Sequence, residues 1–172
     1  MKILVFSDSH GGAAYIREAL AAHRGSTDIV YFLGDGIRDI TDVLADFPEI
    51  PRVIVSGNCD SALALAACGT DAPAEDVRTV DGLRVLAMHG HTARVKWGYD
   101  PLIYRASEVQ ADIVLFGHTH IPENRFVNDP NGTARRILLF NPGSVGTGMT
   151  HSYGVIYVVG GQISADHGYV KC

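Results

Sequence analysis

DIVLFGHTH, residues 112–120, runs from an apolar segment straight into two imidazoles. Ile113 to Phe116 are apolar on consecutive residues rather than alternating ones. That pattern marks a short strand buried on both faces. Gly117 follows, and then His118 and His120 with one threonine between them. Such an ending fits a polar loop, and it also fits a metal site.

The same pattern recurs outward from this stretch. Apolar runs stand at KILVF (2–6), DIVYFL (28–33), RVIV (52–55), LRVLAM (83–88), RILLF (136–140) and YGVIYVV (153–159). Strands covered on both faces need helices to cover them. Residues 13–23 are rich in good helix formers. Residues 37–47 place Ile37, Ile40, Val43, Leu44 and Phe47 on one stripe. Residues 101–110 start at Pro101, a favourable first-turn residue. Residues 60–68 make a short helix capped by Asp60 or Ser61. The segment 69–82 has no period and reads as loop, and NDPNG (128–132) reads as a turn. The alternation of strand and helix predicts an α/β chain.

The residues just past each run carry the chemistry. The exits are SDSH, GD, SGNCD, HGH, GHTH and NPGS in chain order. Each holds Asp, Asn or His. In an open α/β sheet the carboxyl ends of the strands form the ligand crevice, so these groups are expected to converge. Any one exit has an ordinary explanation as a helix cap or turn. Capping explains histidine poorly, however, and five of the eight histidines (His10, His89, His91, His118 and His120) stand at exits. Converging imidazole and carboxylate groups are what a divalent metal requires. His23 reads as a residue of a helix's last turn. His151 and His167 read as surface residues.

Composition narrows the function classes. The 172 residues are 47% hydrophobic and 19% charged, which suits one globular domain spanning 1–172. The net charge is −5. No basic patch is visible, which disfavours a nucleic-acid polymer as partner. Three cysteines (Cys59, Cys68 and Cys172) with no repeated spacing argue for a reducing compartment. No signal peptide is seen, and no run approaches the ~20 residues of a spanning helix. A cytoplasmic chain without membrane contact is expected.

The residues carry a family resemblance. Asp8-x-His10, Gly34-Asp35, Gly57-Asn58 with Asp60, His89, and Gly117-His118-x-His120 stand in the order of the calcineurin-like metallophosphoesterases. The chain most resembles the small single-domain bacterial and archaeal phosphodiesterases, which share the GNCD and NPGS elements. The resemblance runs from Asp8 to Ser144. It implies two mixed β-sheets packed as a sandwich flanked by helices, in four layers, with two metal ions at the strand ends. Carried over by position, Asp8, His10, Asp35 and His120 would hold one ion. Asp35, Asn58, His89 and His118 would hold the other, with Asp35 bridging. The mixed nitrogen and oxygen donor set, without thiolate, suits manganese, iron or zinc and does not choose among them; manganese is the first expectation, with iron, zinc or nickel as alternatives.

The resemblance further implies hydrolysis of a small phosphate ester, most simply a phosphodiester, by in-line attack of a metal-bridging hydroxide. Asn58 would both ligate metal and reach substrate. Asp60 would orient a ligand histidine. Many relatives carry histidine where this chain has Cys59, and a passive packing role is expected for the thiol. His91 is then the candidate general acid or substrate ligand. Arg94 is a candidate substrate contact within 92–105, a stretch for which an oligomer contact is the equal alternative. A retromer subunit shares the fold as a protein-interaction scaffold, so a metal-retaining scaffold with little catalysis is the rival class. A serine or cysteine nucleophile lacks its signature here.

Overall fold

Ten strands and four helices form in a computed structural model, which describes residues 1–170. Cys172 therefore lies outside the described residues. In chain order the strands are β1 (Lys2–Phe6), β2 (Ile29–Phe32), β3 (Arg52–Ile54), β4 (Glu75–Val80), β5 (Leu83–Met88), β6 (Ile113–Leu115), β7 (Glu123–Asn128), β8 (Arg136–Asn141), β9 (His151–Val159) and β10 (Gln162–Val170). The helices are α1 (Ala13–Ala22), α2 (Ile37–Leu44), α3 (Ala62–Ala67) and α4 (Asp100–Glu108). Ser61 caps α3, accepting from the Ala64 amide at 3.2 Å.

The strands make two mixed five-stranded sheets, ordered β10-β9-β1-β2-β3 and β4-β5-β6-β8-β7. The consecutive apolar runs are explained by what lies on each face. In β1, Ile3 and Val5 point between the sheets, against Val85, Ala87, Leu115 and Phe140. Leu4 and Phe6 point the other way, under Ile16 and Leu20 of α1 and Ile40 and Val43 of α2. In the second sheet, Val114 and Leu139 turn outward onto Leu102 and Ala106 of α4. Helix, sheet, sheet and helix thus stack in four layers. Truncating a central side chain such as the fully buried Phe140 to alanine would cost about 3–5 kcal/mol.

Topology places the site. β1, β2 and β3 run parallel in one sheet, and β5, β6 and β8 run parallel in the other. The exits of these six strands are the six polar exits of the sequence. The antiparallel strands β4, β7 and β10 lie at sheet edges.

Those edges are where sequence reasoning falls short. Residues 69–82, expected as loop, contain β4, paired with β5 from Glu75↔Met88 to Val80↔Leu83. Its sequence EDVRTV is polar because the strand is mostly half-exposed. β7 and β10 escape notice for the same reason. Two histidines also depart from the surface reading. His151 is buried, stacks on Tyr15 with ring centroids 3.6 Å apart, and donates from Nδ1–H to Val145 O at 3.1 Å. His167 stacks on Phe140 and donates from Nε2–H to Asn141 O at 2.8 Å. Among the described residues no helix is long and apolar enough to cross a membrane.

Candidate metal centre

Asp8 lies two residues past β1, fully buried. Its Oδ2 accepts from Ser7 Oγ at 2.5 Å and from the His118 amide at 3.0 Å. Its Oδ1 is buried and, among the described residues, accepts no hydrogen bond. Three imidazoles face that oxygen: His120 Nε2 at 3.1 Å, and His10 Nε2 and His89 Nε2 each at 3.9 Å. Asp35 supplies the second carboxylate. Its Oδ1 accepts from the Cys59 amide at 2.7 Å. Its Oδ2 stands 3.4 Å from His89 Nε2 and 3.9 Å from His10 Nε2.

The histidines also approach one another. His10 Nε2 and His120 Nε2 are 3.4 Å apart, and His118 Nδ1 and His89 Nε2 are 3.2 Å apart. Ligand atoms held about 2.1 Å from one ion at tetrahedral or octahedral angles lie roughly 3.0–3.4 Å from each other. The closest donor pairs here have that spacing. Three donor groups could hold an ion: Asp8 with His10 and His120, Asp8 with Asp35 and His89, and His10 with Asp35 and Cys59. His118 and His120 thus fall to different neighbours, one beside His89 and the other beside His10.

The backbone is bent to make this happen. Asp8, His10, Asp35, His118 and His120 all adopt positive φ, between 42° and 67°. Side chains other than glycine rarely take that conformation, and it costs of order 1 kcal/mol or more each. Five strained residues in one cluster mark a site whose geometry is imposed by its surroundings. Gly117 allows the second turn. A Cβ there would collide with Ser7 Oγ and stand 2.8 Å from Asp8 Oδ2. A Cβ on Gly34 would meet the Gly57 backbone, and one on Gly57 would meet the Asp35 amide and Oδ1, so neither tolerates a side chain.

The imidazoles are oriented from behind. His89 Nδ1–H donates to Leu33 O at 2.7 Å, which turns Nε2 toward both carboxylates. Burial lowers the His89 pKa, but the Asp35 hydrogen bond and the charges of Asp8 and Asp35 outweigh it, so the net shift is upward. Burial pushes Asp35 up, and its bonds to His89 and the Cys59 amide more than reverse this, holding it well below the carboxylate range. Burial and then the His89 charge push both His91 and His118 down. His120 Nδ1 meets Thr147 Oγ1 at 3.0 Å. Thr147 Oγ1 in turn meets Ser144 Oγ at 2.7 Å, and Ser144 Oγ donates to Asp8 O at 2.7 Å.

Several expected roles change. Asp60 is expected to orient a histidine. Its carboxylate instead accepts four backbone N–H groups, those of Asp35, Gly36, Ile37 and Gly57, at 2.8–3.0 Å. It pins the Asp35 turn and caps α2. Cys59 is exposed rather than packed, and it stands with His10 and Asp35. Asn58 is exposed, its Nδ2 donating to Cys59 Sγ at 3.2 Å. His91 is half-buried, with Nδ1 unpartnered and its ring 5.4 Å from that of His89. Arg94 lines a hollow with Trp97, Gly98, Asp100 and Pro101, which no candidate ligand lines. The NPGS exit brings no ligand. Buried Asn141 donates to Gly117 O at 2.9 Å and to Thr119 Oγ1 at 3.1 Å, fixing the GHTH turn. Sequence reasoning missed Thr147 altogether, because a lone threonine in a loop carries no signal.

A profile of the calcineurin-like phosphoesterase superfamily domain matches residues 1–161. The chain belongs to this superfamily. This phosphoesterase-family chain is 30% identical to the probable metallophosphoesterase YsnB of Bacillus subtilis (strain 168) over 146 residues, 84% of the chain and 75% of YsnB. It superposes on a conserved uncharacterized Streptococcus pneumoniae TIGR4 protein, a predicted phosphoesterase, with TM-score 0.75 and 25% identity, covering 96% of this chain and 87% of that one. Two further likenesses, below 25% identity, concern the fold. A novel archaeal phosphodiesterase gives TM-score 0.70 at 21% identity, over 97% and 99% of the two chains. Zinc-complexed Vps29 from Entamoeba histolytica gives 0.72 at 19%, over 98% and 99%.

Proposed function

We propose that this chain is a metal-dependent phosphodiesterase acting on a small phosphate ester, with two divalent ions per chain and manganese the first choice. One observation carries the reading. Asp8 Oδ1 is buried and accepts no hydrogen bond among the described residues, although imidazole nitrogens stand 3.1–3.9 Å away. A buried carboxylate oxygen left without a donor is expensive, and a cation between these groups removes that cost. Asp8, His10, Asp35 and His120 fit one ion. Asp35, His89 and His118 fit the second, with the Asn58 amide oxygen completing it after rotation away from Cys59. Bound there, two divalent ions would supply an activated water near neutral pH and positive charge for the phosphoryl oxygens.

The remaining roles fall to the chain's own groups. His91, its ring beside those of His89 and His118, is the group we assign to hydrogen-bond a phosphoryl or leaving-group oxygen. Asn58, exposed at the mouth, can turn its Nδ2 to substrate. The Arg94 hollow lies apart from these donors, so Arg94 is not part of this proposal. The net charge of −5 is no obstacle, because the ions provide the local positive field. A reducing, cytoplasmic setting keeps Cys59 a thiol.

The test strips the protein with chelator and restores Mn, Fe, Zn, Ni or Mg singly. Metal content and hydrolysis of an aryl phosphodiester and its monoester are then measured. Two ions per chain and faster diester hydrolysis are expected. Ions bound with no hydrolysis under any metal would refute the enzyme reading and favour the rival, an interaction scaffold of the same fold. The likeness to Vps29 motivates that rival.

A further inference from the structure

A cavity of about 340 Å³ opens beside His10 and Asp35. It lies between Gly11, the first turn of α2 and the segment from Cys59 to Ala64. That volume is at the small end of ligand pockets, enough for one organic arm of an ester. Three carboxylates line it, and each is already engaged. Asp35 faces His89 and His10. Asp39 Oδ2 accepts from Ser9 Oγ at 2.6 Å and from the Gly11 amide at 2.7 Å. Asp60 accepts its four amides. Two of those amides, of Gly36 and Ile37, belong to the start of α2, so these two are already taken and do not bind an anion.

Arg38 also lines the cavity, and among the described residues no other lysine or arginine does. It is exposed, and among the described residues its guanidinium makes no hydrogen bond, ion pair or ring contact. An arginine that holds nothing in place, set in a wall of engaged acids beside the metal-type donors, is available to a ligand. The sequence does not single it out, since IRDI reads simply as a helix turn.

We propose that this cavity receives one arm of the ester, and that Arg38 selects an arm carrying its own anionic group, such as a carboxylate or a second phosphate. The inference rests on the phosphodiesterase reading of the adjoining cluster. Guanidinium pairs bidentately with both anion types, a geometry that lysine does not reproduce.

Two substrates test it: 4-nitrophenyl propyl phosphate and 4-nitrophenyl 2-carboxyethyl phosphate. They share a leaving group and differ by a carboxylate. The wild-type protein is expected to favour the carboxyethyl ester through KM. Arg38→Gln should lower kcat/KM for that ester by about tenfold, and leave the propyl ester within about twofold, as one charge-assisted contact implies. Arg38→Lys should fall between. Equal losses on both esters, or no wild-type preference, would overturn the proposal. Calorimetry of the metal-loaded protein with propylphosphonate and 3-phosphonopropionate separates the two readings. If neither ester is hydrolysed, the enzyme reading fails. Tighter binding of 3-phosphonopropionate, lost in Arg38→Gln, would still uphold the cavity's role. Equal binding, or none, would overturn it.

Discussion

Replacing Thr147 with valine removes one hydroxyl, keeps the side chain's shape and should loosen the metal. Ser144 Oγ donates its single proton to Asp8 O. It must then accept from Thr147 Oγ1, 2.7 Å away. Thr147, its own proton committed, must accept from His120 Nδ1–H at 3.0 Å. This chain of hydroxyls fixes the His120 tautomer and leaves the Nε2 lone pair facing Asp8 Oδ1 at 3.1 Å. Removing the partner of a ligating histidine costs about 10–100-fold in metal affinity. The His120 side chain is 38% exposed, so water can take over its Nδ1–H. The lower end therefore applies, about tenfold, or about 1.4 kcal/mol. The assay is calorimetric titration of metal-free protein with Mn, with thermal unfolding as a control for folding. Side-chain ¹⁵N shifts of His120 report the tautomer directly. Thr147→Ser should restore both readouts. Unchanged Mn affinity in the valine variant, or a serine variant as weak as valine, would refute the reasoning.

Three other outcomes are expected. Asp60→Ala orphans four backbone N–H groups and should lower stability by about 2–4 kcal/mol in urea unfolding, given the net worth of each bond. Asp60→Asn should recover only part, because its NH₂ would confront two of those donors. For Gly117→Ala, the added Cβ strikes the Ser7–Asp8 contact, so metal binding should be lost while far-ultraviolet circular dichroism still shows both sheets. His23 accepts from Lys2 Nζ at 2.8 Å and donates to the Tyr153 hydroxyl at 3.0 Å. Burial and then the Lys2 charge lower its pKa. The unfolded chain binds this proton more readily, so stability is full above about pH 6.5 and falls as pH drops through the lowered value. Urea midpoints at pH 5 and 7.5 should differ less in His23→Gln than in wild type, and an equal difference would refute the assignment.

Much of this protein was determined by its sequence alone. Short runs of consecutive apolar residues specify strands covered on both faces, and Ile3 and Leu4 do face opposite layers. Histidine, aspartate and asparagine at the exits specify where polar chemistry gathers, because the carboxyl ends of parallel strands share one edge. Strands β4, β7 and β10 were not legible. An edge strand contributes backbone pairing more than apolar burial, so its sequence carries little periodicity. Within the site, side-chain identity announced the donors but not their supports. Only tertiary structure decided that Asp60 serves backbone amides, that Asn141 and Ser144 brace two turns, and that Thr147 backs His120. Only tertiary structure left Arg38 without a partner among the described residues, beside the cavity. These are contacts between residues tens of positions apart, mostly made by hydroxyls and backbone groups. Their energy depends on an ångström of placement, and nothing in residue type or spacing encodes that placement before the sheets have packed.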